Sequence, residues 1–402
     1  MTDVRTALVI GSGIAGPAMA MALQKAGIDS VIYEAEPAGS HGAGVFLTLG
    51  SNGIDALRVL HADEPVLAAA FPTPAITLRS GTGKRLGESR TGRTLPDGTT
   101  SQTVKRADLY QVLHDEARRR GARIEFGKRL VAAQETGGGV RAVFADGSEA
   151  SGDVLIGCDG VGSTVRRIID PGAPRPTYAG LVGTGGYATG VDVGIEPGSY
   201  EMIFGRRAFF GYALAPDGEV WWFANVPRRD EPAPGDLAAI GGEEWRRRLL
   251  DLYAADAGPA VALVEATPDL AAMTPVHAVP HLPTWHTGRM IVVGDAAHAP
   301  SPTSGQGASL AIEDAVVLAK CLRDVPGHHA AFARFEAERR PRVERIIKWA
   351  ARINNSKAAG PVARVVRDGM LPAILKLTAD SKAHRQTYDH HIEWDAPMGA
   401  PA

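Results

Sequence analysis

Apolar and polar positions alternate along this chain at two spacings, one helical and one extended. A continuous apolar run from Thr6 to Ile10 meets a glycine-rich turn; a helix-like stretch from Ile14 to Ala26 and a second run from Ser30 to Tyr33 follow. That order and length predict a βαβ unit. The helical pattern returns at Ala107 to Arg120 and passes through Gly121 into a strand pattern at Arg123 to Phe126. Further strands are expected at Val140 to Phe144 and Val154 to Gly157, with Gly137-Gly138-Gly139 as a hairpin turn. From Gly180 to Val226 the spacing becomes alternating and aromatic-rich, with strands at Tyr200 to Phe204, Phe209 to Leu214 and Val220 to Asn225 and a turn at Pro216-Asp217-Gly218. A helix near Glu243 to Ala255 precedes Met290 to Val293, which has the unbroken apolarity of a buried parallel strand. Helical periodicity then runs from Ala308 to Thr378, with expected breaks at Pro326-Gly327, Gly360-Pro361 and Pro372.

These elements predict an α/β chain with a discontinuous nucleotide-binding domain of residues 1–75, 100–178 and 275–342. A β-sheet domain from 76–99 and 179–274 interrupts it, and helices at 343–385 and a polar tail at 386–402 follow. The 402 residues, 45% apolar and 22% charged, describe a soluble globular protein, and a net charge of −2 gives no sign of a nucleic-acid or anionic-membrane patch. A small molecule is therefore the default partner. Cys158 and Cys321 lie far apart without metal-ligand spacing, which excludes a disulfide framework or cysteine zinc site and fits a reducing, cytoplasmic setting. The N-terminal apolar stretch is punctuated by Gly11, Gly13, Gly16 and Pro17 and interrupted by Gln24 and Lys25, unlike a signal peptide.

Three segments join turn-forming glycines to an apolar run. In Gly11-Ser12-Gly13-Ile14-Ala15-Gly16, Gly11 permits the tight turn, Gly13 lets backbone approach a pyrophosphate and Gly16 allows close helix packing. Glu34 ends the second run at the spacing from which a carboxylate accepts hydrogen bonds from adenosine ribose hydroxyls, and its charge disfavours a 2′-phosphate. This motif alone leaves FAD and NAD equally open. The second segment, Cys158-Asp159-Gly160-Val161-Gly162-Ser163-Thr164-Val165-Arg166, read alone is equally an ordinary strand-to-helix turn with Ser163 as N-cap. The third, Gly294-Asp295-Ala296-Ala297-His298-Ala299-Pro300, continues through Ser301-Pro302-Thr303-Ser304-Gly305-Gln306-Gly307 into a helix, placing an acid at a strand's carboxyl end where a polyol binds.

Taken in this order, the three segments make the chain resemble the single-component, para-hydroxybenzoate hydroxylase-like (group A) FAD monooxygenases from Ala7 to about Arg342. Gly305 to Ala315 is similar to the salicylate hydroxylase, phenazine and tetracycline-modifying branches. The resemblance implies a GR2-type Rossmann-like FAD-binding domain with an inserted antiparallel β-sheet substrate domain and a C-terminal helical segment. It implies that Gly11, Gly13, Ile14, Ala15, Gly16, Glu34, Arg106, Asp159, Asp295, Pro302, Gly305, Gln306, Gly307 and Ala308 hold FAD. Arg106 matches the family arginine that opens a helix and reaches the ribityl and pyrophosphate region; Ser309 stands where many members carry asparagine.

The family's chemistry implies that NADH or NADPH reduces FAD. A flavin C4a-hydroperoxide formed with O2 then delivers one oxygen atom to an aromatic or polycyclic substrate, by hydroxylation or Baeyer–Villiger insertion. A helix starting near Gly307 would aim free N–H groups at the reduced flavin's charge, and Pro302 and Pro300 would stiffen the loop beside it. Pro302, Gly305 and Gly307 are thus the catalytic candidates. His298 belongs to the packing of its motif, and no general base stands out. Alternation nominates Phe204, Arg206, Phe210, Tyr212, Trp222 and Phe223 as substrate wall, or equally as plain sheet core. A catalytically silent FAD protein that shelters a metabolite, or a related FAD reductase or halogenase, are the competing readings. Trp221-Trp222-Phe223-Ala224-Asn225-Val226-Pro227 departs from the halogenase Trp-x-Trp-x-Ile-Pro pattern. A monomer or homodimer without membrane insertion is expected.

Overall fold

The computed structural model describes residues 4–37, 44–300, 305–357, 361–378 and 381–398. Its first sheet has six strands in the order His286–Thr287, Met290–Val292, Val154–Gly157, Thr6–Ile10, Asp29–Tyr33 and Arg123–Glu125. All neighbours are parallel except the first pair, which is antiparallel. Val9 lies between Ile32 and Ile156 in register, and all three are buried, as strands covered on both faces require. Helices Ala15–Lys25 and Gly307–Asp324 pack together, and their amino ends sit by the carboxyl ends of the strands, where open α/β sheets bind ligands.

The second sheet has seven strands in the order Thr274–Ala278, Thr177–Ala188, Val220–Pro227, Phe209–Leu214, Tyr200–Phe204, Ala75–Ser80 and Arg85–Arg90. It is not purely antiparallel as anticipated, because Ala75–Ser80 runs parallel to Tyr200–Phe204. That strand belongs to an earlier stretch of chain and arrives by a long connection, which frees it from the antiparallel rule that hairpins impose. Phe210, Tyr212 and Trp222 share one face, buried against helices Gly242–Tyr253 and Ala260–Ala266. Tyr200, Met202, Phe204, Phe209 and Phe223 share the other. Gly211 makes room there, since a Cβ on it would lie 2.3 Å from the Phe223 ring.

Two expectations for the C-terminal part are corrected. Pro372 lies inside the helix Pro361–Thr378 and does not break it. Residues 386–398 are not a polar tail, because helix Lys382–Tyr388 buries Thr387 and Tyr388, and Ile392 joins the main core. Trp394 sits beneath the Arg323 guanidinium at 4.4 Å, a cation–π contact that anchors the segment.

Helix Gly307–Asp324 is fastened to helix His328–Lys357 by buried charges. Arg339 lies 2.7 Å from both Glu313 and Asp314, and Arg342 forms a two-pronged pair with Glu313 at 2.9 and 2.7 Å. Asp314 also accepts hydrogen bonds from Gly294 N–H at 2.8 Å and His298 Nε2 at 2.5 Å. Burial alone would raise both carboxyls. Arg339 and Arg342 beside Glu313, and His298 and Arg339 beside Asp314, outweigh it and hold both below the ordinary range.

Breaking this network strands buried charge, so Arg339→Met is expected to lower unfolding stability by about 3–5 kcal/mol. Because both carboxyls have depressed pKa values, their contribution is present above the usual carboxylate value of about 4 and is lost as pH falls below it. Urea midpoints of wild type and variant at neutral and acidic pH check this; the gap is expected to narrow in acid, and equal midpoints at neutral pH would refute it.

Candidate functional site

At the glycine turn, Gly11 has φ +98°, and a Cβ on it would fall 2.6 Å from the Cys158 carbonyl oxygen and 2.8 Å from Asp159 Cα. The first two turns therefore touch backbone to backbone. A Cβ on Gly16 would lie 2.1 Å from the Gly11 carbonyl oxygen, so the helix packs against its own entry turn. Gly13 meets nothing within 4 Å and, with Ile14 and Ala15, borders an open cleft. Glu34 is buried and orders the turn by accepting from Ser12 N–H at 2.8 Å and Glu36 N–H at 2.9 Å. Each oxygen keeps a second lone pair for a ligand hydroxyl.

Asp159 lies at the second turn but spends its carboxylate locally. It accepts from Ser163 Oγ at 2.5 Å, Thr164 N–H at 2.6 Å and Val165 N–H at 3.0 Å, while Ser163 Oγ caps Arg166 N–H at 2.9 Å. Burial raises its pKa despite these donors. Cys158 and Gly160, its neighbours, are the cleft-lining residues of this turn. Arg166, buried beneath, donates to the Ala296 and Val161 carbonyls at 2.8 and 2.6 Å and so ties the second turn to the third.

Asp295 faces the cleft and accepts no hydrogen bond from the described residues, and burial raises its pKa against the opposing charges of His298 and Arg106. Arg106 opens helix Arg106–Arg119, and its exposed side chain lines the same cleft. Pro300, Gly305, Gln306, Gly307 and Ala308 complete this wall; Gly305 has φ +60°, a conformation suited to glycine. Among the described residues no side chain caps the helix that starts at Gly307, and its first N–H groups face the cleft. Pro302 lies outside the described residues. His298 is buried against Trp285 and bonded to Asp314, away from the cleft, and Ser309 accepts Gly50 N–H at 3.1 Å, packing where asparagine was the family pattern.

The cleft encloses about 710 Å³ between the two sheets. Of the six aromatic-strand candidates, Phe204 and Phe223 line it. Phe210, Tyr212 and Trp222 do not, because the two-residue alternation sends them to the helix-covered face; Phe210 and Trp222 stack there at 5.3 Å. Arg206 sits in the turn beyond its strand, outside the alternation, and its N–H bonds Asp256 at 2.9 Å. The sequence reading missed Phe46, Tyr200, Met202 and Phe209 on the sheet side, and Leu371, Leu375, His384 and Tyr388 from the C-terminal helices. Alternation with Phe204 carried a signal for Tyr200 and Met202, and the phase shared with Phe223 carried one for Phe209. Phe46, on a strand of another sheet, and the second group are brought near only by the fold.

A family model described as "FAD binding domain" matches residues 3–350. Aurachin C monooxygenase/isomerase of Stigmatella aurantiaca is 31% identical over 355 residues, 87% of this chain and 88% of that protein. Salicylate hydroxylase of Pseudomonas putida is 31% identical over 366 residues, 84% of this chain and 82% of that protein. The crystal structure of Klebsiella pneumoniae HpxO complexed with FAD and uric acid superposes with a TM-score of 0.81 at 26% identity, covering 95% of this chain and 97% of that one.

The cleft's own features fit FAD. The bare face of Gly13, the cleft-facing carboxylate of Asp295 and the helix start at Gly307 suit a pyrophosphate, a polyol and an anionic ring edge respectively. Gly13→Ala is expected to fold normally and lose FAD affinity, whereas Gly16→Ala is expected to lose stability, since its methyl would strike the Gly11 carbonyl. Asp295→Asn should raise the melting temperature of flavin-free protein at pH 7 while weakening FAD binding. An aspartate of raised pKa costs stability once ionised, so that gain should vanish at a pH below about 4. Flavin fluorescence titration and thermal melts across pH test all three, and a Gly13→Ala protein of wild-type affinity would contradict the placement.

Proposed function

The chain belongs to the single-component FAD-dependent monooxygenases, and from that premise we propose that its cleft takes a flat aromatic or polycyclic substrate and directs one oxygen atom of O2 onto it. The supporting observation is the pairing of an apolar aromatic wall, Phe46, Tyr200, Met202, Phe204, Phe209 and Phe223, with the glycine-rich helix start across the cleft. Ring substrates are consistent with the names of the relatives, a urate, a salicylate and an aurachin enzyme among them.

Gly13, Asp295, Arg106 and the Gly305–Ala308 backbone are the proposed holders of FAD, with Glu34 at the ribose and Asp159 shaping the turn beneath. FAD, reduced by NADH or NADPH, supplies the activation of O2. The protein's share is positioning, drying and polarising. The N–H groups at the start of this helix, those of Gly307 and Ala308, stabilise negative charge there. The aromatic wall excludes water, and Asn225, on the same face, orients a polar edge of the ring. Burial pushes the Tyr200 hydroxyl far up and that of Tyr388 to about 12, so both stay protonated near neutral pH and serve as donors, not bases. We place the protein in the cytoplasm as a monomer or homodimer with no nucleic-acid partner.

Substrate-dependent NAD(P)H oxidation with O2 uptake across a panel of aromatic natural products tests this reading, and no stimulation by any of them would sink it. Phe223→Ala should cost about 1–2 kcal/mol of ring binding, roughly tenfold in KM, and divert O2 into hydrogen peroxide. Peroxide yield measured with and without catalase checks the diversion; unchanged KM and coupling would move the substrate elsewhere.

A further inference from the structure

Helix Pro361–Thr378 presents its apolar residues the wrong way round for a surface helix. Among the described residues, five of the six most exposed large hydrophobic side chains lie on it: Val365, Val366, Met370, Ile374 and Leu377, the last 82% exposed and Met370 57%. At about 100° per residue, Val366, Met370, Ala373, Ile374 and Leu377 fall in one arc of about 100°, so they form a continuous stripe facing outward. The opposite side is already used. Leu371 and Leu375 pack on Leu78, Leu86, Phe204 and Phe209, and Arg367 lies over the Phe204 ring at 4.5 Å.

Charge identifies what the stripe faces. Residues 345–385 contain nine lysines and arginines against two aspartates, a net of +7 in a chain whose total is −2. The near-neutral sum hides this segregation, which is why the overall balance gave no hint of it. Lys376 is exposed on the same helix, and Lys382 and Arg385 are exposed on the helix that follows it. A two-fold contact between copies would bring this basic segment against itself, whereas an anionic lipid surface complements it. No helix among the described residues is long and apolar enough to cross a membrane. An exposed apolar stripe within a basic segment suits a helix lying in the plane of the interface.

We propose that helix Pro361–Thr378 docks the protein reversibly on anionic lipid. The same helix is a wall of the cleft, where Leu371, Ile374 and Leu375 line the interior, and Ile374 is also 44% exposed outside. A lipophilic ring compound dissolved in the bilayer therefore lies one helix thickness from the aromatic wall. The docking itself does not rest on the monooxygenase reading.

The test is co-sedimentation of the FAD-loaded protein with vesicles of phosphatidylcholine mixed with phosphatidylglycerol, against phosphatidylcholine alone, at low and high salt. Wild type is expected to sediment with the mixed vesicles at low salt and to bind at least about tenfold more weakly at high salt. The triple variant Val366→Ser, Met370→Ser, Leu377→Ser changes outward side chains only; it is expected to retain FAD and to bind vesicles at least about tenfold more weakly. Wild type remaining in the supernatant, or equal sedimentation of the triple variant, overturns the proposal. Light scattering that shows a wild-type dimer and a monomeric triple variant assigns the stripe to a second copy and overturns it equally.

Discussion

The cleft depends on the buried charges that clamp helix Gly307–Asp324 in place. Arg339 and Arg342 hold Glu313 and Asp314, and Asp314 in turn grips Gly294 N–H and His298. The strand-to-helix turn that carries Asp295 and the helix start that carries Gly307 are thereby bolted to one another. Asn52 extends the grip by donating to Gln306 Oε1 at 3.0 Å and Glu313 at 2.6 Å. Such a network contributes little net stability over apolar packing, but its geometry is demanding, and that makes it suited to fixing where a helix begins.

The turns themselves converge by close approach of backbone. Gly11 against Cys158 and Asp159, and Arg166 beneath Ala296, place three turns from distant parts of the chain within one wall. No side chain but hydrogen could occupy Gly11 there. Asp159 illustrates a division of labour within the wall, since its carboxylate is consumed in shaping a turn whereas Asp295 keeps its own for the cleft.

Much of this was legible in the sequence. The parallel strands announced themselves as unbroken apolar runs ending in glycine turns, and the turn residues carried their roles at fixed spacing. What was not legible had physical causes. Alternation says that Phe209 and Phe210 point opposite ways, but not which way helix Gly242–Tyr253 will come to lie, so the two sets of aromatic residues were interchangeable until that helix was placed. Pro372 was expected to end a helix, yet helix Pro361–Thr378 continues through it. The polarity of the final stretch concealed Tyr388, Ile392 and Trp394, three large side chains spaced too widely to form a periodic pattern.

The order of strands in the parallel sheet bears on how the chain reaches this state. Val154–Gly157 is hydrogen-bonded on one side to Thr6–Ile10 and on the other to Met290–Val292, while most of the second sheet lies between those partners in sequence. Hairpins such as Phe209–Leu214 with Val220–Pro227 need only local closure. The parallel pairs made by Val154–Gly157 must wait for distant segments, the costly step in loop entropy and in time. During synthesis, an apolar strand with one open edge stands exposed until residue 290 emerges, and aggregation competes with folding in that interval.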